Sequence, residues 1–294
     1  MIGLKTLRSV SVSKPNDVVI RMNDKNPVFE SFKYPGGELQ VRLNKEIIEN
    51  LKESDFVIII ANIYNSDDVM KLLLLQSAID SVTQHIVPSN KATVIPYLPY
   101  SRADRRFVEG DCLGKSVFLN VIKSIWSMVY TIDCHSSAFD KDYFDIPVDE
   151  LLKSKIVVLA DEPINILFPD LGAKNRYGSI FSDMPGANIF FCEKKRDPVT
   201  GKFLGFKVPT DIDKNLETII IDDICDGGGT FIGIANELKM SREKLSLYVT
   251  HGIFSKGLEE LSKWFSNIIT TDTFTKDDLV VPDNTSLTIH EIEY

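Results

Sequence analysis

Residues 218–231 read TIIIDDICDGGGTF, and this stretch decides the fold class. Three isoleucines form a short apolar run typical of a buried strand. Two adjacent carboxylates, Asp222 and Asp223, follow the run, and three glycines and Thr230 then open a helical pattern. The stretch therefore predicts a strand, a glycine loop and a helix in direct succession.

Strand and helix patterns alternate along the chain before this stretch. In the first half, FVIIIA (56–61), ATVIPYL (92–98) and MVYTID (128–133) are strand patterns, and DDVMKLLLLQSAIDSV (67–82) and GKSVFLNVIKSIW (114–126) are helical patterns. A second series begins near residue 150 and echoes the first. Its further strand patterns lie in PINILFPD (163–170), NIFFCEKKR (188–196), LSLYVTH (245–251) and NIITTDT (267–273), with SLTIHEIEY (286–294) as a candidate edge strand. GTFIGIANELKM (229–240) and KGLEELSKWF (256–265) are helical, and EKKRDPVTGKFLGF (193–206) has the composition of a flexible loop.

Strands that alternate with helices predict right-handed crossovers and a mostly parallel sheet. Two such series predict an α/β protein of two similar domains, residues 1–149 and 150–294, each with a mostly parallel central sheet flanked by helices. Ligand sites in such sheets lie at the carboxyl ends of the strands, where the polar residues of this chain also follow the apolar runs.

The composition restricts the class of function. The 294 residues are 44% hydrophobic and carry a formal net charge of −9, which is typical of a globular protein and argues against nonspecific binding of nucleic acid. Four cysteines have no zinc spacing and are expected to be free thiols. Residues 1–14 contain no long apolar stretch, and no apolar run reaches the ~18 residues of a membrane span. We therefore expect a cytoplasmic protein without membrane or nucleic-acid partners.

The glycine loop has the composition of a phosphate site. Gly227, Gly228 and Gly229 allow backbone N–H groups to converge on an anion at the positive end of the following helix. The Thr230 hydroxyl can add a hydrogen bond, and the neighbouring carboxylates can accept hydrogen bonds from a vicinal diol or hold Mg²⁺ through water. A phosphate beside a diol describes a ribose 5-phosphate group, whereas the plainer interpretation is a glycine turn with solvated acids.

The stretch resembles the ribose-phosphate signature of type I phosphoribosyltransferases. Other segments follow in the order found in ribose-phosphate diphosphokinases (PRPP synthetases): IPYLPYSRADRRF (95–107), TIDCHSSAFDKDYFDIPVDEL (131–151), FPDLGAKNR (168–176), EKKR (193–196) and VTHGIFS (249–255). The resemblance extends from about Phe32 to Thr273, and it implies two phosphoribosyltransferase-like domains. The first would contain the ATP-binding segments, and the second the ribose-phosphate loop and a flexible catalytic loop.

The resemblance also implies roles for individual residues. ATP would be bound by Glu38, Arg102, Asp104 and Arg105. Ribose phosphate would be bound by Asp222, Asp223, Asp226, Gly227, Gly228, Gly229 and Thr230. His135 and Asp170 would help to hold Mg²⁺, and His135, Lys194 and Arg196 would be catalytic, the last two on a loop that closes over the reacting phosphate.

The expected reaction is transfer of the β,γ-diphosphoryl group of ATP to the anomeric hydroxyl of ribose 5-phosphate, with release of AMP. Three alternatives stay open. The acceptor could be a larger 5-substituted ribose such as ADP-ribose, the enzyme could be a phosphoribosyltransferase, or the chain could be a catalytically silent regulatory relative. Relatives form dimers or hexamers, so a homo-oligomer is expected.

Two positions depart from the family pattern. Gly36 stands in YPGGELQVRL (34–43) where an aspartate is usual, in a segment that contacts adenine in the family. Gly227 stands where the phosphate loop usually has threonine. The lost hydroxyl predicts a more open loop, which would suit the larger acceptor.

Overall fold

The computed structural model describes residues 17–24, 27–123, 126, 128–136, 143–159, 163–196, 203–274 and 278–292. Residues 1–14, where no signal segment is expected, and residues 197–202 of the expected catalytic loop lie outside the described residues. The chain divides into two compact units, Met1–Pro147 and Val148–Glu293. The sequence placed this division between residues 149 and 150.

Unit 1 is built on a parallel sheet. Its described strands are β1 (Asp17–Arg21), β2 (Phe29–Lys33), β3 (Leu39–Leu43), β4 (Phe56–Ile60), β5 (Lys91–Val94), β6 (Met128–Ile132) and β7 (Phe144–Ile146), and its helices are α1 (Lys45–Lys52), α2 (Ser66–Val82) and α3 (Gly114–Ile122). The sheet order is β1-β4-β5-β6-β7 with every neighbouring pair parallel, and β2 and β3 form a separate antiparallel ribbon.

The sequence explains the position of these elements. Residues 57–60 of β4 are all buried, as expected for a strand covered on both faces. Helix α2 begins at a capping box in which the Asn65 side chain accepts from the Asp68 backbone N–H and the Asp68 carboxylate accepts from that of Asn65. Its buried leucines and isoleucine join the core of this unit. Helix α2 thereby packs against the core of the unit through its buried apolar side chains.

Unit 2 repeats this design. Its described strands are β8 (Ile164–Phe168), β9 (Ala187–Phe191), β10 (Glu193–Arg196), β11 (Phe203–Lys207), β12 (Glu217–Cys225), β13 (Leu245–Gly252), β14 (Asn267–Thr271) and β15 (Ser286–His290), and its helices are α4 (Asp149–Leu159), α5 (Leu171–Tyr177), α6 (Gly229–Leu238) and α7 (Glu259–Ser262). The sheet order is β15-β14-β13-β12-β8-β9, all parallel, and β15 is an edge strand as predicted.

Three elements differ from the prediction. Strand β12 runs beyond its apolar residues through both aspartates, because Ile224 and Cys225 pair with His251 and Gly252 of β13. The expected helix over 256–265 shortens to α7, because Gly257 has a φ of 71° that a helix does not allow. Part of the expected loop over 193–206 forms the antiparallel ribbon β10–β11. Among the helices described, none combines the length and apolar character that a bilayer span demands.

Candidate active site

The carboxyl end of β12 concentrates negative charge. Asp223 is 4% exposed and Asp222 is partly buried, and the Asp223 backbone N–H donates to Asp222 Oδ1 at 3.0 Å. Burial, and then the charges of Asp223 and Asp170, raise the pKa of Asp222 well above its usual value. The structure thus brings Asp170, which follows β8, to the two acids predicted for the sugar site. Such an arrangement favours a ligand that donates hydrogen bonds or carries positive charge.

This acidic cluster should cost stability, because a carboxyl with a raised pKa binds its proton more tightly in the folded state. The folded protein then loses stability as the pH rises above the ordinary aspartate pKa of about 3.9. We expect Asp222→Asn to raise the free energy of unfolding near neutral pH by about 0.5–2 kcal/mol. The gain over the parent should vanish below about pH 4. Thermal unfolding between pH 3.5 and 7.5 measures this, and a gain that is constant with pH would contradict the assignment.

The glycine loop lies between β12 and α6. Gly228 has a left-handed φ of 76°, and a Cβ there would lie 3.0 Å from Leu261 Cδ2, so glycine is required for two reasons. The loop is tied to the segment after β13, since the Ser255 hydroxyl donates to Asp226 Oδ1 at 2.5 Å and its backbone N–H donates to the Asp226 carbonyl at 3.1 Å. Among the residues that the structure describes, no side chain caps the N-terminus of α6, so its first N–H groups can be offered to an anion.

Lys194, the predicted catalytic lysine, contacts Asp170. Its Nζ lies 2.7 Å from Asp170 Oδ2, with the two side chains 39% and 36% exposed. Asp170 also caps α5 by accepting from the Ala173 backbone N–H at 3.0 Å. Burial acts to raise the pKa of Asp170, but the bonds from Lys194 and Ala173 outweigh it and lower that pKa. Arg196 ends β10, and its side chain lies outside what the structure describes.

Two loops of unit 1 meet around Asp104. Arg105 forms a two-pronged ion pair with this carboxylate, with Nε at 3.0 Å from Oδ1 and Nη2 at 3.4 Å from Oδ2. Burial acts to raise the pKa of Asp104, but the hydrogen bonds from Arg105 and Ser136 and the charges of Arg105 and His135 lower it. The structure therefore brings the segment of predicted ATP-binding residues next to His135. Arg102 is exposed in the same segment.

Lys115 connects these two loops and was missed at the sequence level. It is fully buried, and its Nζ donates to the Tyr143 hydroxyl at 2.9 Å and to the Ser136 carbonyl. Its backbone N–H donates to the Ala103 carbonyl at 3.2 Å. The available signal was a lysine in the first turn of the mostly apolar helix GKSVFLNVI, because a buried lysine needs polar partners. Lys115 positions the residues on either side of His135.

Glu38 lies at the exposed tip of the β2–β3 ribbon. The Tyr34 backbone N–H donates to the Glu38 carbonyl at 2.9 Å, and Gly37 has a φ of 93°. Gly36, which replaces the aspartate usual in the family, has open space where its Cβ would lie. Steric crowding therefore does not explain the glycine, and its effect on adenine recognition stays a prediction.

Comparison with known proteins identifies the family. Residues 17–125 match the family model for the N-terminal domain of ribose phosphate pyrophosphokinase. The chain is 29% identical over 247 residues to ribose-phosphate pyrophosphokinase of Hyphomonas neptunium, an alignment that covers 80% of this chain and 76% of the relative. It is 30% identical over 263 residues to the enzyme of that name from Pyrococcus furiosus, covering 86% of this chain and 88% of the relative. The chain belongs to the ribose-phosphate pyrophosphokinase family.

A solved structure supports the fold of this chain. Phosphoribosylpyrophosphate synthetase from Mycobacterium smegmatis matches with a TM-score of 0.73 and 17% identity over 94% of each chain. The predicted α/β class, with two domains of mostly parallel sheet flanked by helices, is confirmed. The predicted family and enzyme class are confirmed too: the protein is a transferase of the kinase type, related to enzymes of nucleotide biosynthesis.

Asp170, one of the two predicted metal ligands, is compatible with Mg²⁺. In the described parts of the chain, no group of three His, Cys, Asp or Glu side chains is placed to hold a metal. Mg²⁺ does not need such a cage, because it usually keeps several waters and takes one or two carboxylates together with substrate phosphates. Asp170 offers a half-exposed carboxylate next to the acids of β12, which fits that donor set.

Proposed function

We propose that this protein transfers the β,γ-diphosphoryl group of ATP to the anomeric hydroxyl of ribose 5-phosphate, in a Mg²⁺-dependent reaction that forms PRPP and releases AMP. One observation carries the proposal. In unit 2, a glycine loop before a helix N-terminus, the Asp222–Asp223 pair and a lysine bound to an acid lie at the carboxyl edge of one sheet. Relatives along most of the chain are named for this activity.

The glycine loop and the acids would hold the sugar. Backbone N–H groups of residues 227–230 would bind the 5-phosphate at the N-terminus of α6. Asp222 and Asp223 would accept hydrogen bonds from the 2- and 3-hydroxyls, because carboxylates form strong hydrogen bonds with hydroxyl donors. This division assigns sugar binding to unit 2.

Unit 1 would bind the nucleotide. Arg102 and Arg105 present guanidinium groups that suit polyphosphate oxygens, and Asp104 holds Arg105 in a fixed orientation through its two-pronged ion pair. His135 lies next to the same carboxylate and is exposed, so it can reach a ligand. Glu38 completes the proposed ATP-binding set from the β2–β3 ribbon.

The chemistry requires positioning and charge rather than a covalent intermediate. The C1 oxygen of the sugar attacks the β-phosphorus in line. The bond from the β-phosphorus to the oxygen that bridges it to the α-phosphorus breaks, and AMP leaves with that oxygen. The proton of the C1 hydroxyl passes to solvent. Mg²⁺ supplies charge neutralisation on the phosphates when bound. Lys194 would leave Asp170 and pair with the transferred group, which places its positive charge where negative charge develops.

Phosphorus NMR tests this function without a coupling enzyme. The protein with ATP, Mg²⁺ and ribose 5-phosphate should form AMP and a C1 diphosphate in equal amounts, in the absence of any nucleobase. A requirement for a nucleobase and PRPP would instead identify a phosphoribosyltransferase. If no AMP is released with ribose 5-phosphate, ADP-ribose or related sugars as the acceptor, the protein is a catalytically silent relative. We also propose the homo-oligomer that the family resemblance implies and the cytoplasmic location expected from the sequence.

A further inference from the structure

The side chain of Lys256 occupies the space next to Gly227. A Cβ at Gly227 would lie 3.4 Å from both Cδ and Cε of Lys256, so the aliphatic part of the lysine passes directly over this glycine. The more open loop expected from the missing threonine is therefore partly filled. The group that fills it ends in a positive charge.

The backbone around Lys256 is anchored to the phosphate loop. On its N-terminal side, Phe254 donates its backbone N–H to the Cys225 carbonyl at 3.1 Å, and Ser255 makes the two bonds to Asp226. On its C-terminal side, the Gly257 N–H donates to the Phe254 carbonyl at 2.8 Å, and Leu258 is buried. Lys256 itself is exposed. The backbone is thus fixed while the ammonium group remains accessible to a ligand.

The phosphate loop needs a cation that its own sequence does not contain. Residues 222–230, DDICDGGGT, include three aspartates and no lysine or arginine. A phosphate monoester carries a charge close to −2 at neutral pH. The N-terminus of α6 offers the equivalent of only about half a positive charge. A dianion bound beside Asp226 would therefore be repelled unless another positive group lay close to it.

We propose that Lys256 pairs with the 5-phosphate of the acceptor and thereby selects an acceptor that ends in a phosphate monoester. This inference rests on the proposed function and narrows its substrate class. The 5-phosphate of ADP-ribose is joined to a second phosphate through an anhydride bond and carries a single negative charge, so a lysine at this position favours ribose 5-phosphate over ADP-ribose. The lysine also replaces the hydrogen-bond donor that a threonine at residue 227 would supply.

A substitution that keeps the aliphatic stem tests the charge. Lys256→Met should raise both the KM and the Kd for ribose 5-phosphate about tenfold or more, the loss expected for one hydrogen bond to a charged group. The KM for ATP should stay within about twofold, since ATP is assigned to other residues. The preference for ribose 5-phosphate over ADP-ribose should fall by a similar factor. Lys263→Met is the matched control, because Lys263 is exposed in the same unit and pairs with Glu260.

A second pair of variants separates a specific role from general damage. In Lys256→Ala the space beside residue 227 is free, so adding Gly227→Thr should restore much of the lost affinity through the new hydroxyl. Calorimetric titration of ribose 5-phosphate without ATP gives the Kd independently of turnover. An unchanged Kd in Lys256→Met would overturn the inference even if the enzyme makes PRPP. Conversely, absence of AMP from the parent protein would refute the proposed function, while the titration would still report on Lys256.

Discussion

Replacing Lys194 with alanine is expected to lower kcat by about 10³-fold or more, because a positive group that meets the developing charge in phosphoryl transfer is worth about 10³ to 10⁵ in rate. The fold should persist. Lys194 and its partner Asp170 are both more than one third exposed, and such ion pairs contribute at most about 1 kcal/mol. AMP release under saturating ATP and ribose 5-phosphate measures kcat, and thermal unfolding measures stability.

Lys207→Ala is the matched control for this experiment. Lys207 lies on the partner strand of the same ribbon, pairs with Glu193 at 3.0 Å and has no proposed role in catalysis. Its loss should leave kcat within about twofold of the parent. If Lys194→Ala and Lys207→Ala behaved alike, Lys194 would be an ordinary surface lysine.

Asp223→Asn is expected to raise the KM for ribose 5-phosphate about 10- to 100-fold, with much less effect on the KM for ATP. A hydrogen bond to a charged group contributes about 1.5–3 kcal/mol, and Asp223 is almost fully buried, so water cannot easily replace the lost charge. Asparagine has nearly the same shape and retains one acceptor oxygen, which should preserve β12. Initial rates with each substrate varied in turn give both constants.

Glu217→Gln provides the control at the other end of β12. Glu217 is exposed at the first position of the strand, so the same acid-to-amide change there should alter neither KM. Equal increases in the KM for ATP and for ribose 5-phosphate in Asp223→Asn would argue against the diol assignment. Equal increases would indicate that Asp223 maintains the structure of the whole site rather than binding the sugar.

Much of the architecture could be predicted because it depends on local patterns. The apolar run of β4, the long buried helix α2 and the strand–loop–helix succession at 218–231 all have periodicities that allow few other structures. The predicted parallel sheets follow from connection rules that apply to any such alternation. The ends of elements were less predictable, as β12 shows, because its last residues are held by pairing with β13 rather than by their own propensity.

The residues of the site were predicted from their motifs, but the contacts between them were not. Asp170, Lys194 and the β12 acids were each singled out from their motifs, yet only the fold shows that Lys194 binds Asp170 and that Asp170 affects Asp222. Lys115 and Lys256 were missed. Lys115 is marked only by its place in a mostly apolar helix and Lys256 by no pattern, and the role of each depends on residues that are distant in the chain.

The sequence by itself determined the α/β class, the two sheets, the glycine loop and the family, because hydrophobic periodicity and short motifs are properties of neighbouring residues. Only the tertiary structure decided which residues meet: Lys194 with Asp170, Arg105 and His135 with Asp104, and the aliphatic part of Lys256 with Gly227. The physical reason is that electrostatic and packing interactions act over a few ångströms in space, and a parallel sheet brings together strand ends that lie tens of residues apart in the chain.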